Sequence, residues 1–253
     1  MPVKTRVMPT LLFRDVGLVK GVRFDSWRRT GSALQAIKVY NMREVDELVF
    51  LDIRATPDGR APDFAQIDEL ADECFMPMTV GGGVRNVDHV GRMLAVGADK
   101  VALNTAALER PKLIDDAARQ YGSQCIVISI DVLRHPDGKV EVISKCGTER
   151  TGRDPVEWAR EVEAAGAGEI LLTSVDRDGT FEGYDVPLTR AVAEAVKIPV
   201  IASGGCGNYA HMAAVLRDGK ATAVAAASIF HFTEQTPREA KLYLKQQGFN
   251  VRV

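Results

Sequence analysis

The sequence has few cysteines and histidines, few aromatic residues and almost no net charge. Its 253 residues include 4 Cys and 4 His, and 6% are aromatic. The cysteines form no CxxC pair and no cluster at zinc spacing, so we predict no disulfide framework, no metal site and no cofactor. A formal net charge of −2 argues against the basic stripe of a nucleic-acid-binding protein.

Long hydrophobic runs are also absent. The longest, roughly residues 221–230, is far shorter than the ~20 residues of a membrane span. The first 13 residues lack the apolar core and cleavage site of a secretory signal. With 46% hydrophobic and 26% charged residues, the composition is typical of a globular chain. We therefore expect a cytoplasmic protein with neither nucleic-acid nor membrane partners.

Short β-branched runs alternate with amphipathic stretches along the chain. Strands are predicted at residues 6–13, 47–53, 76–80, 100–104, 124–131, 169–173, 200–203 and 222–226. Helical patterns follow them, for example at 64–74, 87–96, 111–121, 156–165 and 188–196. Eight such units predict an α/β fold, a (β/α)₈ TIM barrel formed by residues 1–253 as one domain. A doubly wound sheet remains the alternative, because local patterns do not show closure.

Three sequence blocks recur at a spacing of 122 residues. They begin at Glu47 and Glu169, at Pro77 and Pro199, and at Gly97 and Gly219. A repeat of this length predicts two (β/α)₄ half-barrels, about residues 1–122 and 123–253. It favours the closed barrel over an open sheet.

Glycine-rich turns follow matching strands in the two halves. The first is VGGGVR, which contains Gly83, and the second is ASGGCGN, which contains Ser203, Gly204 and Gly205. Backbone N–H groups in such turns can bind anions. The next strands in each half end at Asn104 and Thr105, and at Ala227 and Ser228. Two phosphate cradles at one mouth fit a bisphosphorylated substrate; the alternative is that the glycines only form tight turns.

Carboxylates end several predicted strands. Asp131 ends an apolar strand, where partial burial would raise its pKa toward the general acid–base range. Thr173 and Asp178 follow the next strand, and Asp52 ends the matching strand of the first half. These are candidates for substrate contact, although ordinary turn chemistry explains Asp-Gly equally well. The glycine-bounded segment 21–31 is predicted to be a mobile lid over the mouth, and the histidines are interpreted as structural or exposed.

Taken together, the motifs resemble the cyclase subunit of imidazole glycerol phosphate synthase, the HisF family. They are LVKGVRF, DELVFLDI, VGGGVR, GADKVALNTAAL, GSQCIVISID, GAGEILLTSVDRDGT, GYD and PVIASGGCGN. The resemblance extends nearly end to end and implies a (β/α)₈ barrel that receives ammonia from a glutaminase partner. It also implies a lyase/cyclase of histidine biosynthesis, which converts a bisphosphorylated ribulosyl-formimino carboxamide ribonucleotide to imidazole glycerol phosphate.

The resemblance implies roles for individual residues. At the substrate mouth it matches Lys20, Gly83, Asn104, Asp131, Thr173, Asp178, Gly179, Gly205 and Ser228. Asp131 matches one of two catalytic aspartates. At the other end, Arg6, Glu47, Lys100 and Glu169 match a charged gate for ammonia, and Asp99 matches a residue facing the glutaminase. The implied partners are a glutaminase subunit in a heterodimer and a bisphosphorylated substrate, or phosphate or sulfate, at the mouth.

The sequence departs from the family pattern in the first strand. The family motif there is Pro-Cys-Leu-Asp and ends in the second catalytic aspartate, whereas this chain has Leu12 at that position. Leucine cannot transfer a proton, and a general acid or base contributes ~10²–10⁴-fold to rate. Arg54 and Cys146 replace a usual Thr and a usual Ser or Gly, and we expect Arg54 to add bulk and charge near the mouth.

Leu12 and the segments 41–48 and 73–77 look closer to a paralogous branch. That branch is associated with amidation of nucleotide-activated sugars for surface polysaccharides, where a separate amidotransferase uses the ammonia. The favoured hypothesis is therefore a barrel that channels ammonia with little cyclase chemistry. The alternatives are a true cyclase that uses another acid, such as Asp52 or Asp178, and a phosphosugar-binding barrel without a glutaminase partner.

Overall fold

Eight parallel strands close into a barrel in the computed structural model, which describes residues 4–253. The barrel strands are β1 (Arg6–Arg14), β4 (Leu48–Asp52), β5 (Met78–Gly81), β6 (Lys100–Leu103), β7 (Ile126–Arg134), β10 (Glu169–Ser174), β11 (Val200–Ser203) and β12 (Ala223–Ala226). Each pairs in parallel with the next, and β12 pairs with β1. This closure confirms the predicted (β/α)₈ fold and excludes the open sheet.

Helices cover the outside of the barrel. They are α1 (Ala33–Met42), α2 (Phe64–Asp72), α3 (Val87–Ala95), α4 (Thr105–Glu109), α5 (Lys112–Tyr121), α6 (Pro155–Ala164), α7 (Val186–Ala195), α8 (Tyr209–Arg217), α9 (Ser228–Phe232) and α10 (Pro237–Gln246). Their apolar faces pack on the outward side chains of the strands, as between Val90 and Met93 of α3 and the core around β5 and β6. In residues 4–253, no helix combines the length and hydropathy needed to cross a bilayer.

A separate cluster of apolar side chains fills the barrel interior. It comprises Met8, Val49, Ala102, Val127, Leu171, Ile201, Ala223 and Ala225, with Leu51 packed against it. These residues come from seven of the eight strands. Alternate side chains of a strand point to the same face, so each of these strands can direct one or two of them into the barrel. The interior between the two ends of the barrel is therefore packed with apolar atoms.

Helix caps recur at the spacing of the sequence repeat. Asn86 accepts a hydrogen bond from a backbone N–H at the start of α3, and Asn208 does the same for α8. Asp63 and Asp185 cap α2 and α7 in the same way. Each pair is 122 residues apart. A capping side chain satisfies an N–H that the helix leaves unpaired, so both halves begin these helices with the same chemistry.

Two β-hairpin extensions interrupt the strand–helix alternation. β2 (Gly17–Val22) and β3 (Asp25–Gly31) follow β1, and β8 (Val140–Ser144) and β9 (Glu149–Arg150) follow β7. Both hairpins pair antiparallel with the barrel strand that precedes them. A hairpin therefore lies between β1 and α1 and between β7 and α6, and the strand–helix pattern predicted neither hairpin.

Candidate functional site

A cavity opens at the carboxyl ends of the barrel strands. Every residue predicted for the mouth lines it: Leu12, Lys20, Asp52, Gly83, Asn104, Thr105, Asp131, Thr173, Asp178, Gly179, Ser203, Gly204, Gly205, Ala227 and Ser228. Parallel strands place their carboxyl ends on one side of a barrel, which is where the active sites of this fold lie. The sequence pattern therefore predicted residues that the fold brings together around one cavity.

Asp131 lies at the centre of a hydrogen-bond network in this cavity. Its Oδ2 atom accepts a hydrogen bond from Nδ2 of Asn104 at 3.1 Å, and its Oδ1 atom lies 3.5 Å from the hydroxyl of Ser129. Burial and the negative charge of Asp178 raise the pKa of Asp131 to about 7, although hydrogen bonds from Ser129 and Thr173 oppose the shift. A carboxyl group with this pKa can donate or accept a proton near neutral pH.

Lys20 and Asp178 form a buried ion pair beside this network. The Nζ atom of Lys20 lies 2.5 Å from Oδ2 of Asp178, and Lys20 is only 2% exposed. Burial raises the pKa of Asp178, while the charge of Lys20 and its hydrogen bond oppose that rise. The pair ties the first hairpin to the loop after β10, and it places a cation in the wall of the cavity.

Leu12 supplies an apolar wall at the position where the sequence resemblance implies a carboxylate. It lies in β1, where it pairs with Val19 of β2 and Leu51 of β4. Its side chain is buried and lines the same cavity as Asp131. At this position the mouth has no group able to transfer a proton.

Asp52 organises the loop that follows β4. Its Oδ1 atom accepts hydrogen bonds from the backbone N–H groups of Arg54 and Ala55, at 2.9 and 3.0 Å. Its Oδ2 atom pairs with Arg60 at 3.3 Å. Although Asp52 lines the cavity, its carboxylate is engaged in holding this turn, which leaves it a poor substitute for a catalytic aspartate.

Arg54 and Cys146 differ in where their side chains lie. The guanidinium of Arg54 pairs with Asp58 at 2.5 Å, and Arg54 is not part of the cavity wall. Asp58 holds the Arg54 side chain in its own loop, and the charge of Arg54 still acts on Cys146 of the cavity wall, whose pKa it lowers. Cys146 does line the cavity, and its thiol donates to the carbonyl of Ile53 at 3.0 Å. Burial, with the charges of Asp131 and Asp52, raises its pKa to about 12, so it remains a thiol.

The predicted lid segment is the β2–β3 hairpin, and it is docked over the mouth. The backbone N–H of Arg23 donates to the carbonyl of Asp178 at 2.8 Å, and its side chain donates to the carbonyl of Asp176 at 3.0 Å. Phe24 and Trp27 of this hairpin line the cavity. A Cβ at Gly179 would approach the carbonyl of Gly21 to 2.4 Å, so glycine permits this close contact.

The two glycine turns lie on different sectors of the mouth. We use "first cradle" for Gly83, Asn104 and Thr105, and "second cradle" for Ser203, Gly204, Gly205, Ala227 and Ser228. Gly83 has φ +73° and Gly205 has φ +98°, a conformation that favours glycine. A Cβ added at Gly83 would lie 2.7 Å from the carbonyl oxygen of Arg60, and one added at Gly205 would lie 2.2 Å from the carbonyl oxygen of Gly183.

Four charged side chains meet at the amino ends of the strands, at the other end of the barrel. Arg6 contacts Glu47 at 2.7 Å and also pairs with Glu169. Lys100 contacts Glu47 at 2.8 Å and Glu169 at 2.9 Å. We refer to these four residues as the charged ring. Because Arg6 and Lys100 each reach Glu169 from a strand that is not its neighbour, these ion pairs span the barrel interior.

The ion pairs of the charged ring outweigh the effect of partial burial on the pKa values of Arg6 and Glu169. Burial alone would lower the pKa of Arg6, but its bonds to Glu169 and Glu47 outweigh this and raise it. Burial alone would raise the pKa of Glu169, but Arg6 and Lys100 outweigh this and lower it. Arg6 and Glu169 therefore stay charged at neutral pH.

The surface around the charged ring carries Asp99 and two exposed apolar residues. Asp99 is exposed, and its Oδ2 atom accepts a hydrogen bond from the N–H of Met78 at 2.8 Å. Met42 is 77% exposed and Phe75 is 83% exposed. Asn41 holds the Phe75 loop by accepting from the N–H of Phe75 at 3.1 Å and donating to the carbonyl of Glu73 at 2.7 Å.

Sequence reasoning missed some residues of the cavity wall. Thr10, Thr56 and Ser129 line it and were not predicted. The signal for Thr10 and Ser129 was available, because each lies two residues before a predicted site position on the same strand and so faces the same side. Thr56 lies in an irregular loop, where no periodicity indicates the direction of a side chain.

Comparison with known proteins agrees with this geometry. The sequence matches the family described as "Histidine biosynthesis protein" over residues 6–236, which covers all eight barrel strands. The match includes the charged ring and every residue predicted for the mouth. The chain therefore belongs to the histidine biosynthesis protein family, as a barrel of the HisF and HisA type.

Proposed function

We propose that this protein is the barrel subunit of a glutamine amidotransferase complex, which receives ammonia and has little ring-closing activity of its own. The observation that carries the proposal is a contrast between the two ends of the barrel. The charged ring is complete, whereas the mouth has Leu12 in place of a second catalytic carboxylate. Ammonia entry requires the charged ring, whereas ring closure requires the second carboxylate that Leu12 replaces.

The barrel interior suits the passage of neutral ammonia. The ion pairs close the amino end, and the apolar cluster of Met8, Val49 and Leu171 lies beyond them. A charged ammonium ion would lose its hydration there, whereas ammonia is neutral and much less penalised. Passage therefore requires that one of the ion pairs swings aside, with Lys100 the simplest candidate because its long side chain has one terminal charge.

The exposed pair Met42 and Phe75 is the surface on which the glutaminase would dock. Both residues lie at the ends of helices that lead into β4 and β5, the same end of the barrel as the charged ring. A partner that supplies ammonia must cover the charged ring, because ammonia would otherwise escape into the solvent. Exposed aromatic and Met side chains are typical anchors of such interfaces, and Asp99 adds a charge nearby.

The acceptor proposed for the ammonia is a nucleotide-activated sugar in surface-polysaccharide synthesis, modified by a separate amidotransferase. The support is the sequence resemblance of segments 41–48 and 73–77 to the branch associated with that chemistry. The apolar residue at position 12 is consistent with it, because a barrel that only conducts ammonia needs no second proton-transfer group.

Mixing the barrel with its cognate glutaminase tests the proposal. We expect a one-to-one complex and stimulated glutamine hydrolysis. The variant Phe75→Asp should weaken both, whereas Val16→Asp should not, since Val16 is 73% exposed but lies in the turn after β1 at the opposite end. No complex and no stimulation would contradict the proposal.

A true imidazole glycerol phosphate synthase cyclase is the second candidate. The observation that favours it is the pKa of Asp131, raised to about 7 by burial and Asp178, which suits an acid–base role. The two readings separate in an assay with excess ammonium salt and the bisphosphorylated ribonucleotide. Turnover by the unmodified barrel would favour the cyclase, and its absence would favour the ammonia-conducting barrel.

A further inference from the structure

A buried lysine of α10 pairs with the residue that precedes Glu47 of the charged ring. The Nζ atom of Lys241 lies 3.4 Å from Oδ1 of Asp46 and donates to the carbonyl of Glu44 at 2.7 Å. Lys241 is 3% exposed, and the side chain of Asp46 is 7% exposed. Breaking a buried ion pair is strongly destabilising, so Lys241 holds the carboxylate of Asp46 in place.

Asp46 ties this lysine to the first strand of the barrel. Its second oxygen, Oδ2, accepts a hydrogen bond from the backbone N–H of Val7 at 3.0 Å. Backbone pairing between β1 and β4 begins three residues later in both strands, at Thr10 and Val49. The side chain of Asp46 therefore holds the two strands together at their amino ends, before the ladder starts.

The tie lies directly beside two members of the charged ring. Arg6 precedes Val7 in β1, and Glu47 follows Asp46. Arg6 and Glu47 also contact each other at 2.7 Å. One bond between Asp46 and Val7 therefore fixes the backbone from which both of these ring side chains project.

Lys100, on the other side of the ring, is held less firmly. The residue before it, Asp99, accepts a hydrogen bond from the N–H of Met78 at 2.8 Å, as Asp46 does from Val7. Asp99 is exposed, however, whereas Asp46 is paired with a buried lysine. The two sides of the ring therefore differ in how deeply their anchoring aspartates are buried.

We propose that Lys241 is a positioning residue of the charged ring, and that it acts through Asp46. It keeps the side formed by Arg6 and Glu47 in place, so that Lys100 is the member that moves when ammonia enters. The inference rests on the proposed function, because only a ring that admits ammonia needs one fixed side and one movable side.

The pKa of Glu169 reports whether the ring side chains are in place. Arg6 and Lys100 lower this pKa from its ordinary value of 4.5, although burial acts to raise it. If Arg6 loses its position, the pKa of Glu169 should rise. In Lys241→Met and in Asp46→Asn we expect its proton affinity to increase at least about threefold. NMR titration of the Glu169 carboxyl carbon measures this change, and thermal unfolding verifies that the variants fold.

The two substitutions separate positioning from the direct effect of charge. Loss of the Lys241 cation by itself raises the pKa of a nearby carboxyl group, whereas loss of the Asp46 anion by itself lowers it. In Asp46→Asn one carboxylate oxygen becomes an NH₂ donor, so the side chain no longer accepts from both Lys241 and Val7. This variant keeps the shape of the side chain, and it carries the test alone if Lys241→Met does not fold.

Arg134→Met is the matched control. Arg134 also pairs with a buried aspartate, Asp185, at 2.6 Å, but it lies at the carboxyl end of β7, away from the charged ring. This variant should leave the pKa of Glu169 unchanged. An unchanged pKa in Asp46→Asn, a fall in that variant, or an equal rise in Arg134→Met would overturn the inference.

Glutaminase stimulation, measured with the parent barrel, separates this test from that of the proposed function. If the parent stimulates the glutaminase but the pKa of Glu169 does not rise in the variants, only the positioning role of Lys241 is overturned. If the pKa rises in both variants but the parent gives no stimulation, Lys241 positions the ring and only the ammonia partner is overturned.

Discussion

One amide nitrogen of Asn104 bonds both the carboxylate of Asp131 and the backbone of the same strand, in the mouth of the barrel. Nδ2 of Asn104 donates to Oδ2 of Asp131 at 3.1 Å and to the carbonyl of Ser129 at 3.0 Å. The contact fixes the orientation of the carboxylate for which the sequence resemblance implies a catalytic role. Leu12 lines the same cavity but can neither share nor relay its proton.

The raised pKa of Asp131 makes stability depend on pH. Its folded pKa is about 7 against an ordinary value of 3.8, so between these values the folded chain binds more protons than the unfolded one. The contribution of Asp131 to the free energy of unfolding is therefore full below pH ~4 and is lost as pH rises to ~7. Asp131→Asn removes this dependence. Relative to the parent, the free energy of unfolding of the variant should therefore increase by on the order of 2 to 4 kcal/mol between pH 4 and pH 8.

Urea unfolding of the parent and Asp131→Asn at several pH values measures this difference. Asn104→Ala serves as a comparison, because it removes the hydrogen bond but leaves the carboxyl group buried. If the free energies of unfolding of the parent and Asp131→Asn differ by the same amount at every pH, the pKa of Asp131 is not raised in the folded protein.

Removing Lys100 should destabilise the barrel through its charged ring. In Lys100→Met, Glu47 and Glu169 keep only Arg6 as a basic partner in the charged ring, and loss of one member of a buried ion pair costs about 3 kcal/mol. The loss should be smaller at pH 4, because Lys100 helps to lower the pKa of Glu169 from 4.5, and without Lys100 this buried carboxylate takes up a proton more readily. Urea unfolding at pH 7 and pH 4 measures both values.

Lys112→Met is the matched control for Lys100→Met. Lys112 also forms a close ion pair, with Asp116 at 2.6 Å, but its side chain is 71% exposed. Exposed pairs contribute little, so this variant should change stability by less than about 0.5 kcal/mol. If the two substitutions lower the free energy of unfolding equally, the ion pairs of the charged ring contribute no more to stability than an exposed ion pair does.

Phe75 is predicted to anchor the glutaminase. Phe75→Asp replaces an exposed aromatic ring with a charge, and should raise the Kd of the complex at least about tenfold without changing the folded state. Titration calorimetry with the cognate glutaminase gives the Kd, and circular dichroism checks the fold. An unchanged Kd would mean that the partner binds elsewhere.

The sequence predicted the barrel closely because its strands are regular and strongly apolar. The prediction for residues 200–203 matches β11, and that for 6–13 ends one residue before β1 does. The two hairpins escaped prediction because β3 is largely exposed and β9 has only two residues, so neither carries a hydrophobic pattern. Their turns depend on left-handed residues such as Phe24 and Cys146, which no propensity indicates.

Within the site, sequence predicted which residues meet but not how they are bonded. Asp52 and Thr105 do line the cavity, yet Asp52 is engaged by its own loop, and the hydroxyl of Thr105 is engaged by Asn104 and by the N–H of Lys145. Arg54 pairs with Asp58 in its own loop, a contact that the sequence did not indicate. Such pairings depend on loop conformation and on the choice of side-chain rotamer, and both are set by tertiary packing rather than by local sequence.

The most direct test of the account is the ammonia-dependent cyclase assay on the barrel alone, with Leu12→Asp and Leu12→Asn alongside. The account predicts no measurable turnover by the parent or by Leu12→Asn, with retained folding. It predicts that Leu12→Asp gains activity by about 10²-fold or more, since that is the contribution of a general acid or base. Robust turnover by the parent would contradict it and show that Asp131 closes the ring without a second carboxylate at position 12.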